Sequence, residues 1–109
     1  MFHMLVCFDL KPGVSVVQFR SAIVTFAEHL RGLDLAQSVS QIGKRQSDTP
    51  LDTDCQRAHE YFVAMSFRDR NQSDAAYKYL KAHAEPGESI HKAVYSQVAN
   101  PVFTCWSDI

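Results

Sequence analysis

The sequence predicts an α+β domain in which one antiparallel sheet carries its helices on a single face. Three observations predict it: an apolar opening strand closed by a Pro-Gly turn, a fully signposted amphipathic helix after it, and an element order of β-α-β-β-α-(α)-β over the whole chain. With 109 residues, the chain has the size of a single domain, residues 1–109. Its 46% hydrophobic and 21% charged residues suit a globular core rather than a disordered segment.

The opening segment, Phe2 to Leu10, is apolar and stops at Lys11-Pro12-Gly13, so it reads as a strand. One face carries Phe2, Met4, Val6 and Phe8 and suits a core beneath helices. The other carries His3, Leu5, Cys7 and Asp9, a mixed set that suits a half-polar cavity or an interface. Ser15 and Gln18 then form an S-x-x-Q capping box, with Val14 and Phe19 placed as a hydrophobic staple. Phe19, Ile23, Phe26 and Leu30 recur at helical spacing, which predicts a helix from Val16 to Arg31 with Gly32 as its left-handed terminator. Val17 and Val24 fall outside the stripe.

A second strand is expected across Ala36 to Lys44. The turn formers of Ser47 to Arg57 predict a loop, and the aromatic and β-branched run His59 to Phe67 predicts a third strand. Asp69 or Asn71 can cap a second helix with Ala75, Ala76, Tyr79, Leu80 and His83 on one side. After the Glu85-Pro86-Gly87 break, Ser89 can cap a short helix with Ile90, Ala93, Val94 and Val98. A last strand, Val102 to Trp106, follows Asn100-Pro101, with Phe103 and Trp106 on opposite faces. This order is the split βαβ pattern of a ferredoxin-like sandwich, an antiparallel sheet with one bare face. A second copy of the chain, making a homodimer, is the simplest cover for that face.

At this point the chain resembles the dimeric α+β barrel superfamily, which includes stress-responsive barrel domains, EthD-like proteins and antibiotic-biosynthesis monooxygenases. The resemblance rests on the opening strand running into Asp9-Leu10-Lys11-Pro12-Gly13-Val14-Ser15, on the helix Phe19 to Leu30, and on Phe67 through Tyr79-Leu80-Lys81-Ala82-His83. It implies a bacterial branch of that superfamily, a homodimer closed into a barrel, and a pocket between sheet and helices. Several members act without a metal. The haem-degrading branch carries an Asn on the first strand, a Trp on the third and a His on the second helix. Only His83 meets that pattern, so the resemblance implies no haem and no other cofactor.

Candidate chemistry centres on the five histidines. None are paired at i, i+4, no HExxH occurs, and no metal site is expected. His83 is the leading candidate base, because imidazole titrates near neutral pH, and Tyr79 one turn earlier is its candidate hydrogen-bonding partner. The competing role for His83 is to cap a helix C-terminus, where a cation is favoured. His91 can converge on the same pocket from the next helix. His29 borders the apolar stripe, and His3 and Asp9 stand on the mixed face of the first strand; each is a candidate pocket residue or an ordinary boundary group. Asp48, Asp52 and Asp54 lack the ligand ladder of a calcium loop and read as solvated, balanced by Lys44, Arg45 and Arg57.

Other classes have little support. A net charge of −1 disfavours nucleic acid and anionic membrane partners. No segment reaches the roughly 18 apolar residues of a membrane span. GxSxG, Walker A and GxGxxG motifs are all missing. The N-terminus lacks the features of a signal peptide, and Cys7, Cys55 and Cys105 match no disulfide or metal pattern. The expected setting is a reducing cytoplasm, with Cys7 and Cys105 buried and Cys55 exposed. Two functions remain open: a cofactor-independent oxygenase or isomerase acting on a small apolar molecule, or a non-catalytic ligand-binding or stress-responsive barrel. A cavity of a few hundred Å³ holding a histidine favours the first, and filled space favours a structural role.

Overall fold

A computed structural model describes residues 1–109. The elements run β1 (Phe2–Leu10), α1 (Val16–Gly32), β2 (Ser38–Val39), β3 (Gly43–Lys44), β4 (Tyr61–Phe67), α2 (Arg70–Lys81), α3 (Gly87–Tyr95) and β5 (Val98–Ser107). The sheet order is β2-β4-β1-β5, with β3 also on β4, and every pairing is antiparallel. Taking β2 and β3 as one interrupted strand, this is the ferredoxin-like α+β arrangement. No helix is long and apolar enough to cross a membrane.

β1 lies at the centre because it is the most continuously apolar segment, and a central strand is covered on both edges. Its register aligns Met4 with Met65 and Cys105, and Val6 with Val63 and Phe103. Those side chains share the helix-covered face. His3, Leu5 and Cys7 align with Ser66, Ala64 and Phe62 on one side and with Trp106, Thr104 and Val102 on the other, and together they form the bare face. Helix α1 starts with the expected capping box: the Gln18 N–H donates to Ser15 Oγ, and the Ser15 N–H donates to Gln18 Oε1. Its stripe of Phe19, Ile23, Phe26 and Leu30 is buried with Phe8, Val63, Met65 and Phe67 in one core. Phe8 and Phe19 are its best-filled positions, with ring centroids 4.8 Å apart.

Several expectations are corrected here. Gly32 does not terminate α1 in the left-handed region; it is the last helical residue, and Asp34 takes that conformation at φ 57°. The Asp34 N–H donates to Arg31 O and the Leu35 N–H to Leu30 O, a Schellman closure. Asp tolerates this backbone, and Gln72 holds it by donating to Asp34 O at 3.0 Å. The second strand splits in two around Ser40 to Ile42, where the Ser40 side chain takes a place in the ladder by accepting from the Ala64 N–H. Strand β4 starts at Tyr61 rather than His59. Helix α3 starts at Gly87, ahead of the expected Ser89 cap, and the Ser89 hydroxyl bonds back to Glu85 instead. Strand β5 runs through Asn100-Pro101 as an irregularity, with Asn100 at φ 54° and a shift of register beside Cys7 and Asp9. The shift absorbs the extra residue, and Pro101 is tolerated because β5 is an edge strand. Cys105 is exposed and Cys7 half-buried, since no helix lies over β5 and nothing covers the bare face.

Candidate active site

The cavities lie on the helix-covered face of the sheet, with walls from the helices and from β1, β4 and β5. The larger is about 630 Å³, with walls from Phe2, Met4, Phe26, Leu30, Met65 and Phe67. Ser73, Asp74, Lys81, His83 and His91 are its polar lining residues. A smaller apolar cavity of about 140 Å³ adjoins it through shared residues including Phe26, His91 and Phe103.

His83 reaches the cavity from the end of α2, where it takes the left-handed conformation at φ 53° and its N–H donates to Leu80 O. It therefore does occupy a helix-terminating position, but one that glycine would fill without strain. The His83 Nδ1 lies 2.8 Å from Glu88 Oε2. A carboxylate only accepts, so Nδ1 donates in this bond, and Nε2 has no hydrogen-bond partner within the protein. Glu88 Oε1 also accepts from the Tyr95 hydroxyl at 3.0 Å. The bonds from His83 and then Tyr95 hold the Glu88 carboxyl below its usual range, and Glu88 in turn raises the Tyr95 phenol. His91 stacks on Phe26 with centroids 5.1 Å apart and meets the edge of Tyr95 at 4.9 Å. Burial lowers its pKa below the ordinary histidine value, which keeps the ring neutral at pH 7. Its nitrogens have no protein partner, yet the one buried unsatisfied side-chain atom belongs to His59, so those of His91 are open to the cavity.

The other sequence candidates lie elsewhere. Tyr79 does not partner His83; it points between the helices, where its hydroxyl and His29 Nε2 share a 2.8 Å hydrogen bond. Close approach explains the placement, because a Cβ at Gly87 would fall 2.6 Å from the Tyr79 hydroxyl oxygen. His29 stays with Tyr79 and does not line the cavity. His3 is on the bare face, bonded to Ser66 at 2.8 Å and to Asp108 at 3.0 Å, and it holds the Asp108 carboxyl below its usual range. Asp9, at the end of that strand, accepts from the Glu60 N–H and the Asn100 side chain. The acidic loop is closed by Arg45, which forms a two-point pair with Asp52. Nowhere do three or more His, Cys, Asp or Glu side chains come together to hold a metal ion.

Glu88, Tyr95 and Lys81 are further candidate residues that the sequence pattern did not single out: Tyr95 and Lys81 line the cavity, and Glu88 bonds to His83. The signal for the first two was present: Glu88, His91 and Tyr95 stand at i, i+3 and i+7, one face of a helix that starts two residues before Ser89.

Residues 1–108 match a family of unknown function, DUF6614. The chain belongs to that family. This DUF6614 chain shares its fold with the Arabidopsis thaliana protein At3g17210, at a TM-score of 0.71 and 12% identity over 100% of this chain and 96% of that one. It is also similar to a dimeric ferredoxin-like protein of unknown function from Jannaschia sp. CCS1, at 0.66 and 12% over 98% of each chain. A candidate antibiotic biosynthesis monooxygenase from Nitrosomonas europaea aligns at 0.59 and 16%, over 100% of this chain and 99% of that one. No curated protein matches the DUF6614 sequence. At these identities the likeness is one of fold, and the resemblance to the dimeric α+β barrel proteins holds at that level.

Proposed function

We propose that this protein is a homodimeric, cofactor-independent enzyme of the oxygenase or isomerase kind, binding a small, largely apolar molecule and moving a proton with His83. The observation that carries this reading is the cavity of about 630 Å³ with apolar walls, into which a carboxylate-oriented histidine and a second, neutral histidine both reach. Glu88 orients His83 as a positioning residue, and His91 is a second acceptor or donor in the wall. Tyr79, His29, His3 and Asp9 take no part in this reading.

The homodimer is supported by the bare sheet face, where Trp106 is 44% exposed beside His3, and by relatives described as dimeric. The free thiols Cys7, Cys55 and Cys105 suit a reducing cytoplasm. Light scattering should give a dimer mass, and Trp106→Arg should lower it to that of a monomer; a monomeric wild-type protein removes the dimer from the reading.

Mass spectrometry of small molecules extracted from the native protein tests the pocket. An apolar species should co-purify with wild-type protein and be lost in Cys105→Trp, which fills the cavity from an exposed position. In D2O, wild-type protein should exchange a carbon-bound proton of that species, and His83→Gln should slow exchange by about a hundredfold. Exchange at an unchanged rate in His83→Gln would remove His83 from the reaction.

A further inference from the structure

The charges around the larger cavity do not balance. Asp74 is answered by Arg70 on the same helix, 4.0 Å away, and His83 is hydrogen-bonded to Glu88 at 2.8 Å. His91 is held neutral by burial. Lys81 alone of the charged lining groups lacks an ionic partner, and its ammonium stands 5.9 Å from the centroid of the Tyr77 ring, itself part of the lining. A cation seated over an aromatic face is restrained rather than free to sweep through solvent. Lys78 and Lys81 both lie in the last turn of α2, where either complements the helix dipole. Only Lys81 also lines the cavity, so the dipole alone does not account for its position. Most of the remaining wall is apolar, including Phe2, Leu30, Met65 and Phe67.

We infer that the molecule bound here is an amphiphilic carboxylic acid, with its apolar body in the cavity and its carboxylate on Lys81. This rests on the pocket reading above and adds the chemical class of the ligand. A neutral apolar molecule would leave the ammonium unused, and an amine would be repelled by it. A carboxylate supplies the missing charge, while the apolar body is stabilised by burial against the walls.

The test compares decanoate, 1-decanol and decylamine as displacers of the neutral dye Nile red at pH 7 and low salt, each below its micelle concentration. Decanoate should displace the dye at a concentration about fivefold lower than decanol, the scale of a partly exposed ion pair, with decylamine weakest. This order runs against intrinsic hydrophobicity, which favours the alcohol. Lys81→Gln should bring decanoate and decanol within about twofold of each other, whereas Lys78→Gln should leave the preference as in wild type. Equal displacement by decanoate and decanol in wild type, or equal losses in the two lysine variants, would overturn the assignment and leave the pocket standing. Failure of Nile red to bind wild-type protein, with no displacement by any of the three, would overturn the pocket reading as well.

Discussion

The covered face of the sheet has two unlike halves. Over β4 the side chains are packed and covered: Val63, Met65 and Phe67 are each no more than 5% exposed beneath the α1 stripe and Ala76, and Met65 and Phe67 form the inner wall of the larger cavity. Over β5, on the same face, Phe103 is 58% exposed and Cys105 is open. The helices are thus set off-centre on a sheet whose side chains are apolar across its full width. Where cover stops, apolar walls remain without a filling, and the ionisable groups of α2 and α3 gather at their edge. One half contributes stability, and the other leaves an open cavity.

Substitutions should separate these halves. Phe19→Ala, in the filled half, should cost about 3–5 kcal/mol in denaturant unfolding, because it opens a void against Phe8. A loss below about 1 kcal/mol would mean that the filled half is not close-packed. Gly87→Ala should cost about 1–3 kcal/mol and break the His29–Tyr79 hydrogen bond, since the new methyl collides with the Tyr79 ring. Ser15→Ala, at the mouth of α1, should cost about 1 kcal/mol through loss of the capping box. In the open half, Phe103→Ala should change stability by less than about 0.5 kcal/mol while weakening Nile red binding. A stability loss equal to that of Phe19→Ala would erase the distinction.

Acid titration gives the finest comparison. Burial sets the His91 pKa below 6.5, so as pH falls through that value the unfolded chain takes up a proton before the folded chain does. Stability should therefore decline below pH 6.5 and level off once folded His91 is protonated. His91→Phe should flatten that decline. Glu88 and Asp108 act lower in the scale: their lowered pKa values contribute stability near neutral pH that is lost as the carboxylates protonate.

Much of this was legible from local pattern. The α1 capping box, the alternation of β1, the Asp69 cap and the β-α-β-β-α-(α)-β order all depend on residues close in sequence, which is where propensity and periodicity act. The candidate site was legible only in part. His83 and His91 do share one cavity, but the partner of His83 lies five residues ahead, across Pro86-Gly87, rather than one turn behind. Tyr79 was drawn away because Gly87 leaves room for its ring against α3 and because His29, fifty residues earlier, offers it a hydrogen bond.

By itself, then, the sequence determined a ferredoxin-like sheet with helices on one face, and the side chains that β1 presents to each face. Those follow from two short periods, 2 for a strand and 3.6 for a helix, which every residue obeys locally. Tertiary structure decided that Asp34 rather than Gly32 closes α1, that Glu88 rather than Tyr79 holds His83, and that Lys81 is left without a partner beside an apolar cavity. Each of these depends on how α1, α2 and α3 pack against one another and the sheet, which is set by side chains distant in sequence, and no local period records it.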